Sequence, residues 1–471
     1  MIGTTKEARR PRGADGSPVD GCLADRSPPP ARPFVRWTEG GRTLFLRPAT
    51  GAWIVTEGVG ADVIELCDGR RTGQDIADQI AASYGADARQ VEQDVARYLA
   101  SLQETGFLRE QSLEAADPAD NRLLGLAVHV TGRCQLACRH CYASPTSAAQ
   151  PDPPIELIVS AVQQARALGA GAVKVTGGDP LCRPEVLDAL VEPARGAEVT
   201  VFTNGVAGAD ELTRQVLDRG WKLQISLDGA EAATHDANRG AGAHTRLTAA
   251  LAEIAARGMA GSVTLSVCLS RLNVREVEPI VRQAVEWGCA GVHLVRISRQ
   301  GRAVDFWEEA SLSDEEWVEA YRGLADTEAR YRDRLKLTGF LLDYVRSCVA
   351  RPATRGCGLG RQVMMDLDGN VYPCIMVTTP EACLGNLQTE SLADCLAPER
   401  LTGLRQACGE RLTDAAVCGA CDWRMICRGA CPGWPLVQDG TLSGTDGLCD
   451  LRRELFRRAI FELARETPCP K

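Results

Sequence analysis

Apolar residues in the middle of the chain follow two alternating periods. Six short apolar runs predict buried strands, at residues 123–130, 172–176, 198–203, 223–227, 262–269 and 291–297. Between them, stretches such as 155–168 and 185–194 repeat apolar residues with the period of a helix. Strands that alternate with helices predict a parallel sheet with right-handed crossovers. The pattern therefore predicts an α/β domain of six strand–helix units over residues 123–340.

Residues 33–112 carry a different pattern. Three strand-like runs come first, at residues 34–37, 43–47 and 52–55. Three helix-like stretches follow, at residues 59–66, 72–84 and 88–105. Thr72 is a good N-cap for the second stretch, and Gly106 is a good C-cap for the third. Three strands and three helices in so short a segment predict a winged-helix-like domain.

The composition narrows the class of protein. The chain has 471 residues, with 53 basic and 62 acidic side chains and a net charge of −9, which argues against nucleic acid as its main partner. It has no apolar run long enough for a membrane span, and no apolar segment behind its first charges that would make a signal peptide. We therefore expect a cytoplasmic protein without a membrane partner. Twenty cysteines in that reducing compartment indicate metal or cluster ligands rather than disulfides.

Two segments are predicted to lack a fold of their own. Residues 1–32 are rich in Arg, Pro, Gly and Asp, which predicts a disordered tail. Residues 113–122 are predicted to be a linker between the N-terminal domain and the α/β domain.

Three cysteines follow the first strand of the α/β domain, at the end of the strand where parallel sheets place their chemistry. Cys134, Cys138 and Cys141 are spaced so that three thiolates can bind one face of a 4Fe–4S cube. The fourth iron is then open to a small molecule. A zinc loop or a disulfide is the alternative, but a zinc site usually has a fourth nearby ligand, and His140 is the only local candidate.

This spacing, followed by Tyr142, resembles the signature of the radical S-adenosylmethionine (SAM) superfamily. The resemblance implies an open (β/α)6 barrel in which the three cysteines hold the catalytic cluster. It also implies that the open iron binds the amino and carboxylate groups of SAM. Reductive cleavage of SAM then gives a 5′-deoxyadenosyl radical, which removes a hydrogen atom from the substrate.

The run Gly177-Gly178-Asp179-Pro180 follows the second strand. It resembles the Gly-Gly-Glu-Pro loop of the family, which binds the SAM amine. Paired glycines let backbone carbonyls approach a ligand closely. Asp179 replaces the Glu of the family, which shortens the reach of the side chain but keeps its charge. An ordinary turn is the alternative for this run.

Further candidates for SAM contact lie at the ends of later strands. Asn204 follows the third strand, and Ser226 and Asp228 end the fourth. They resemble family positions that contact the SAM ribose and carboxylate. Arg296, at the end of the sixth strand, is a candidate partner for the SAM carboxylate. The alternatives are satisfied turns, because Asn-Gly and Asp-Gly pairs are common in turns, and a surface arginine.

Residues 341–460 are rich in cysteine. Seven cysteines spaced around Gly369 resemble the SPASM region of radical SAM enzymes that carry two auxiliary 4Fe–4S clusters: Cys357, Cys374, Cys418, Cys421, Cys427, Cys431 and Cys449. The resemblance implies that Cys357, Cys374 and Cys431 hold the first auxiliary cluster. The other four cysteines hold the second. A zinc ribbon is the alternative for residues 418–431 alone.

Two residues near these seven cysteines, Cys348 and Ile375, affect the predicted ligands and the predicted reaction. Cys348 lies nine residues before Cys357, on a predicted helix at 341–349. We expect Cys348 to be the fourth ligand of the first auxiliary cluster; a half-buried helical cysteine is the alternative. Ile375 follows Cys374, where sulfatase-maturing members carry an Asp as a base, so that reaction is not expected. The remaining cysteines share no spacing, and most are expected to be small buried residues.

The N-terminal domain has a resemblance of its own. The run Cys-Asp-Gly-Arg-Arg-Thr at residues 67–72, with Leu102 and Gly106-Phe107-Leu108, resembles the PqqD-like peptide-recognition domain. In that family an extended leader peptide adds a strand to an exposed sheet edge. A winged helix that binds DNA, or that only packs against the rest of the chain, is the alternative.

The combined patterns predict a radical SAM/SPASM enzyme that modifies a ribosomally synthesised precursor peptide. The product is expected to be a thioether, a carbon–carbon cross-link or a related oxidation. The expected cofactors are SAM and three 4Fe–4S clusters, and the expected partners are the precursor, bound through its leader, and an electron donor of flavodoxin or ferredoxin type. One alternative is a radical SAM enzyme for a small metabolite in cofactor or natural-product biosynthesis. Another is an Fe–S sensor that binds DNA, against which the Gly-Gly-Asp-Pro loop counts.

Overall fold

The structure is a computed structural model that describes residues 34–108, 122–142, 151–339, 342–350 and 358–466. The predicted tail at residues 1–32, residues 113–121 of the predicted linker and Cys357 lie outside these ranges. Within them, no helix has the length and apolar character needed to cross a membrane.

A small antiparallel sheet opens the described chain, in the order β1 (Val35–Glu39), β2 (Arg42–Leu46) and β3 (Trp53–Glu57). Three helices follow it, α1 (Val59–Leu66), α2 (Gly73–Tyr84) and α3 (Ala88–Glu104). The predicted three strands and three helices are thus confirmed. Gly40 and Gly41 form the β1–β2 turn with φ of 55° and 79°, which favours glycine. Thr72 caps α2: its hydroxyl accepts from Asp75 N at 3.1 Å, and its own N donates to Asp75 Oδ2 at 2.7 Å.

The two faces of this sheet are both covered. Phe45 on β2 is buried with Leu102 and Phe107 on the side of the helices. Leu44 and Leu46 point to the other face, as alternation along a strand requires, and they are buried against the C-terminal part of the chain. The sheet is therefore held between its own helices and residues that are distant in sequence.

A second sheet of ten strands forms the centre of the protein. In chain order its strands are β4 (Gly125–His129), β5 (Ala172–Thr176), β6 (Glu198–Thr203), β7 (Lys222–Ser226), β8 (Val263–Leu269), β9 (Gly291–Arg296), β10 (Lys336–Gly339), β11 (Gln362–Met365), β12 (Asn370–Tyr372) and β13 (Gly385–Asn386). Across the sheet the order is β10-β9-β8-β7-β6-β5-β4-β11-β12-β13. The strands from β10 to β11 in that order are parallel, and β12 and β13 are antiparallel additions. Because β10 and β13 are the two edges of the described sheet, the barrel is open, as expected.

The remaining helices are α4 (Ile155–Ala167), α5 (Pro184–Leu190), α6 (Ala209–Gln215), α7 (Ala232–Arg239), α8 (Ala243–Ala256), α9 (Val277–Trp287), α10 (Ala303–Ala310), α11 (Asp314–Tyr331), α12 (Leu342–Ala350), α13 (Leu392–Cys395), α14 (Pro398–Glu410), α15 (Arg424–Cys427), α16 (Gly433–Asp439) and α17 (Cys449–Glu466). The six strands predicted for the α/β domain are confirmed to within two residues at each end. Strand β10 is an addition that the apolar pattern did not indicate.

Alternate residues of the parallel strands face the helices. On β4, Leu126 and Val128 are buried in this layer, where each apolar side chain of this size contributes about 1.5–3 kcal/mol. The intervening residues, such as His129 on β4 and Lys174 on β5, face the interior of the barrel. The apolar pattern that builds the sheet therefore leaves polar side chains on the inside.

The C-terminal region continues the barrel sheet. Strand β11 pairs in parallel with β4, with Gln362 opposite Gly125. Strand β12 then runs back antiparallel to β11, with Tyr372 opposite Met364, so Cys374 lies near the amino ends of β11 and β4, at the edge opposite to the one from which the Cys134 loop leaves β4. The last helix runs to Glu466, past the predicted boundary at residue 460.

Candidate active site

The loop after β4 brings three thiols together. Cys138 is buried, and Cys134 and Cys141 are half-buried. Burial raises the pKa of the Cys138 thiol, and negative charge on Cys134 or Cys141 raises it further. Such mutual effects act over short distances, so the three thiols form one group. Ligands of a cluster must be thiolates, so binding a cluster here releases protons.

Two side-chain N–H groups point at sulfurs of this group. Asn204 Nδ2 lies 3.6 Å from Cys134 Sγ. Arg239 Nη1 lies 3.7 Å from Cys138 Sγ. Hydrogen bonds to sulfur tune the potential of iron–sulfur clusters, so this donor set fits a 4Fe–4S cluster. No three His, Cys, Asp or Glu side chains in the described ranges are placed to share a single metal ion, so the fit to a cluster rests on the grouping of the thiols and on these donors.

The Gly177-Gly178 pair packs on the backbone that leads into Cys134. A Cβ on Gly177 would overlap the carbonyl oxygen of Thr131, and a Cβ on Gly178 would overlap that of Arg133. Gly178 N also donates to Thr131 O at 2.7 Å. Neither glycine leaves room for a side chain, so the loop after β5 and the cysteine loop form one unit.

Asp179 is fully buried, and its carboxylate has three protein donors. Leu181 N donates to it at 3.0 Å. Thr203 Oγ1 and Asn204 N donate to it at 2.9 and 2.8 Å. Burial raises the pKa of this carboxyl, and the hydrogen bonds oppose the rise. The side chain therefore ties the loop after β5 to the end of β6 through hydrogen bonds within the protein.

Asp228 is the centre of a buried polar network after β7. It accepts from Cys268 N at 2.7 Å and from Arg239 Nε at 2.5 Å. Its Oδ2 also lies 3.2 Å from His140 Nε2. Burial acts to raise the pKa of Asp228, but the charge of Arg239, the neighbouring His140 and the hydrogen bond from Cys268 N together outweigh it, and the pKa is lowered. Burial lowers the pKa of His140 to about 4, so the ion pair in this network is that of Asp228 and Arg239.

The two other candidates for SAM contact have different surroundings. Ser226 is the half-buried last residue of β7. Arg296 is buried, and its Nη1 donates to Asp446 O at 3.0 Å. Its guanidinium lies 4.7 Å from the ring centroid of Trp434. The described contacts of Arg296 therefore join β9 to the C-terminal region.

Three residues beside the cysteine loop were not predicted as site residues from the sequence. Arg239 ends α7, the helix that follows β7, and its spacing from the cysteines carries no signal. Cys182 is half-buried; burial, then the charges of Asp179 and Cys134, raise the pKa of its thiol to about 11. Cys268 is half-buried on β8. Burial raises the pKa of its thiol, and the charge of Cys138 contributes to the rise. These two thiols belong to the cysteines without a shared spacing, most of which were expected to be small buried residues, and the structure places both beside the cysteine loop.

The C-terminal cysteines form two groups. The first consists of Cys374 and Cys431: burial and the charge of Cys374 raise the pKa of Cys431 to about 11. The second, called here the second auxiliary group, consists of Cys418, Cys421, Cys427 and Cys449, which line one cavity. Burial, followed by the charges of the other three, raises the pKa of Cys418 to about 11. Four thiols around one cavity fit a closed 4Fe–4S cluster. The assignment of individual ligands stays a prediction, because Cys357 is not among the described residues.

Cys348 lies half-buried on α12. Burial raises the pKa of its thiol to about 11, and the charge of Cys427 contributes to the rise. Cys348 also packs in the same apolar cluster as Cys421 and Cys427. The described cysteines beside it thus belong to the second auxiliary group, whereas the spacing predicts that it completes the first cluster.

Polar side chains line the barrel interior between Cys141 and Cys374. Tyr142 Oη lies 3.4 Å from His129 Nε2. Lys174 Nζ donates to Gln362 Oε1 at 3.3 Å. Ile375, directly after Cys374, is 42% exposed. A substrate in this interior would meet an imidazole, an ammonium group and an apolar side chain.

Three family models match separate parts of the chain. Residues 128–284 match the radical SAM superfamily, and residues 42–108 match coenzyme PQQ synthesis protein D (PqqD). Residues 357–422 match SPASM, an iron–sulfur cluster-binding domain.

Named proteins are similar over most of the chain. Mycofactocin maturase MftC of Mycobacterium ulcerans is 30% identical over 334 residues, which cover 69% of this chain and 87% of MftC. The structure of anSMEcpe with bound AdoMet has a TM-score of 0.60 at 16% identity, and covers 73% of this chain and 99% of that chain. SuiB of Streptococcus suis, bound to the precursor peptide SuiA, has a TM-score of 0.54 at 13% identity, and covers 88% of this chain and 100% of that chain. The two structures show a shared fold. From the match to MftC and the family models, the chain belongs to the radical SAM superfamily and is an enzyme of its SPASM branch, with SAM and 4Fe–4S clusters as cofactors.

Proposed function

We propose that this enzyme modifies a ribosomally synthesised precursor peptide. One observation carries the proposal: the same chain contains the loop with Cys134, Cys138 and Cys141, the two C-terminal groups of cysteines, and a domain that matches PqqD. MftC is named a maturase, and SuiB was solved with a precursor peptide. The bond formed in the peptide is a thioether, a carbon–carbon cross-link or the product of a related oxidation.

The cysteine loop is the proposed catalytic centre. Cys134, Cys138 and Cys141 would hold a 4Fe–4S cluster, which together with SAM would supply a 5′-deoxyadenosyl radical for removal of a hydrogen atom from the substrate. Asn204 and Arg239 donate N–H groups toward the sulfurs, and such bonds stabilise thiolates in a site with little water.

The proposed SAM contacts follow the geometry of the strand ends. In this proposal SAM is contacted by the backbone of residues 177–180, the amide of Asn204 and the hydroxyl of Ser226. The carboxylate of Asp179 keeps residues 177–180 and Asn204 in position relative to each other. Asp228 acts through Arg239, which it pairs with. The guanidinium of Arg239 lies at the cysteine loop, so it is better placed for the SAM carboxylate than that of Arg296.

The proposed domain boundaries are 33–112 for peptide recognition, 123–340 for the barrel and 341–460 for the SPASM region. Strands β1 and β3 are the edges of the small sheet. The unpaired main-chain groups of an edge strand can pair with an extended peptide, which supplies affinity, while neighbouring side chains supply specificity. The leader of the precursor is the proposed occupant.

Electron transfer completes the proposed cycle. Reductive cleavage of SAM needs one electron, and an external donor of flavodoxin or ferredoxin type in the cytoplasm is proposed to supply it. Loss of the hydrogen atom oxidises the peptide by one electron, so a peptide that loses two hydrogen atoms needs an acceptor for a second electron, while the second proton passes to a base or to water. The two auxiliary clusters are the proposed acceptors.

The test uses the full chain, reconstituted anaerobically, with SAM, a reductant and the short peptide encoded beside its gene. We expect formation of 5′-deoxyadenosine together with a peptide that has lost two hydrogen atoms, as measured by mass spectrometry. The same peptide without its leader segment should turn over far more slowly. SAM cleavage that leaves every neighbouring peptide unchanged would instead favour a small metabolite as the substrate.

A further inference from the structure

One apolar core joins the three-stranded sheet to the C-terminal region. The sheet contributes Leu44, Leu46 and Val55 to this core. The C-terminal region contributes Val345, Val349, Trp423, Ile426 and Phe456. Removal of apolar side chains from water is the main favourable contribution to packing, so the sheet depends on these residues for one of its two covered faces.

Trp423 is the centre of this contact. It lies between Cys421 and Cys427 in sequence and is 4% exposed. Its ring centroid is 4.9 Å from that of Trp37 on β1 and 5.8 Å from that of Phe456 on α17. Aromatic pairs at such separations stabilise a contact beyond the burial of their surface. Trp423 also lines the cavity of the second auxiliary group, so one side chain contacts both the sheet and the cluster site.

Polar contacts from the sheet reach the same region. Trp53 Nε1, on β3, donates to Val349 O at 3.1 Å. Arg42 Nη2, on β2, donates to Ala464 O at 3.0 Å. α17 lines the cavity, and α12 contacts its wall through Tyr344, whose hydroxyl donates to Cys427 O. The two bonds therefore fix the position of the sheet only while these helices keep their places.

The loop that carries Trp423 has little regular structure of its own. Between residues 418 and 431, α15 spans only Arg424–Cys427. Arg428 and Ala430 have φ of 54° and 60°, and they are the two non-glycine residues of the described chain with positive φ. Each such conformation is strained and persists only where the surroundings hold it. Four thiols bound to one cluster supply that restraint, as structural metal sites do.

We propose that the second auxiliary cluster, bound by the second auxiliary group, is the structural support of the three-stranded sheet. Its assembly fixes the loop at 418–431, and the loop presents Trp423 and Ile426 to the sheet. Recognition of a peptide by the sheet then requires an intact second cluster. That consequence rests on the function proposed above, whereas the support of the sheet does not.

Hydrogen–deuterium exchange on the full chain, reconstituted anaerobically, tests this. The double substitution Cys421→Ala/Cys449→Ala removes the second cluster, which iron analysis verifies. We expect the amides of β2 and β3 to exchange at least about tenfold faster, as for a locally destabilised unit, while those of β6 keep their rate. The matched control Cys134→Ala/Cys138→Ala removes the cluster of the barrel and should leave β2 and β3 unchanged. Unchanged exchange in β2 and β3 after verified loss of the second cluster overturns the proposal.

A second variant separates this effect from general unfolding. Trp423→Ala keeps every cysteine, so it should retain its iron while β2 and β3 exchange faster, and Trp423→Phe should change them less. Loss of the second cluster could also accelerate exchange in β6, and the exchange of Trp423→Ala then decides between the two explanations. Faster exchange in Trp423→Ala that is confined to β2 and β3 supports the proposal, and unchanged exchange in these strands overturns it. The measurement needs no peptide, so its outcome is independent of the peptide test.

Discussion

Arg239 joins Asp228 to Cys138. Its Nε lies 2.5 Å from Asp228 Oδ2, and its Nη1 lies 3.7 Å from Cys138 Sγ. Both charged residues are buried, and a buried charge without its partner costs several kcal/mol. The ion pair therefore keeps a positive charge beside a cluster thiolate and away from solvent.

We predict that Arg239→Leu destabilises the protein and changes its catalytic cluster. The substitution leaves the Asp228 carboxylate buried without its partner, so the free energy of unfolding should fall by about 3–5 kcal/mol. Loss of the positive charge and of the N–H donor should lower the reduction potential of the cluster at Cys138. Urea unfolding and an EPR-monitored redox titration measure the two effects.

Two further variants control this prediction. Arg239→Leu/Asp228→Asn removes both charges. Its free energy of unfolding should therefore be higher than that of Arg239→Leu, while the reduction potential of its cluster should stay below that of the unaltered protein. Arg296→Leu removes a buried arginine whose described contacts lie in the C-terminal region, and it should leave the potential unchanged. An unaltered potential in Arg239→Leu would mean that the guanidinium does not act on the cluster.

Asp179→Glu restores the residue of the family loop, and we predict that it harms the protein. The carboxylate already accepts from Leu181, Thr203 and Asn204 in a fully buried position. An added methylene in such a site typically costs about 1–3 kcal/mol. Thermal unfolding should show the loss, and calorimetry should show no gain in SAM affinity. Tighter SAM binding at unchanged stability would show instead that the carboxylate reaches the ligand.

Iron content provides a third prediction. Three 4Fe–4S clusters give about 12 irons per chain. Substitution of Cys134, Cys138 and Cys141 by Ala should remove about four irons and abolish formation of 5′-deoxyadenosine. Cys418→Ala/Cys421→Ala should also remove about four, yet leave SAM cleavage measurable. A full-length protein that saturates near four irons contradicts the assignment of the auxiliary clusters.

Buried histidines predict the response of stability to pH. Burial lowers the pKa of His129, His140 and His235 to about 4, against about 6.5 in an unfolded chain. The unfolded state therefore binds more protons below pH 6.5, so the stability is complete above that pH and is lost as the pH falls toward 4. We expect a loss of about 1 kcal/mol or more per histidine over this window, measured by urea unfolding.

The histidine contribution can be separated from that of the carboxylates. His235 Nδ1 accepts from Asp228 N at 3.2 Å, and the amide oxygen of Asn can replace it, so His235→Asn should flatten the dependence between pH 6.5 and 4 without loss of fold. His244→Asn, at a half-buried neighbour, is the matched control. Equal slopes in the two variants would show that other groups dominate.

The sequence predicted the barrel well because its strands are apolar runs between clear turns. β5 and β6 were predicted at their observed bounds. Strand β10 was missed because Lys336–Gly339 offers four residues with one buried leucine. Its place in the sheet depends on pairing with β9, which no local pattern encodes.

The site was predictable only where ligands are close in sequence. Cys134, Cys138 and Cys141 share one loop, so their spacing predicts a common cluster. Arg239 reaches Cys138 because α7 folds back over the end of β7, and this contact spans 101 residues. The link between Trp37 and Trp423 likewise exists only after the sheet and the C-terminal loop have met.

Cys348 provides the last prediction. The spacing predicts that it is the fourth ligand of the first auxiliary cluster, with Cys374 and Cys431, while its described neighbour is Cys427. Cys348→Ala should lower the iron content and shift the EPR signal of the first auxiliary cluster, because a lost thiolate changes both the charge and the stability of a cluster. Cys289→Ala, at a buried cysteine of the barrel core, is the matched control.

The cluster that Cys348 serves can be identified in two backgrounds. The first background is a chain without the second cluster, made by Cys421→Ala/Cys449→Ala. If Cys348 is a ligand of the first cluster, Cys348→Ala should still change the EPR signal of the auxiliary cluster that remains. In a chain without the first cluster, made by Cys374→Ala/Cys431→Ala, an effect that persists would place Cys348 with the second auxiliary group. An unchanged signal in both backgrounds would leave the first cluster with a free iron. That iron could bind a thiolate of the substrate directly, and formation of a thioether would then be the favoured reaction.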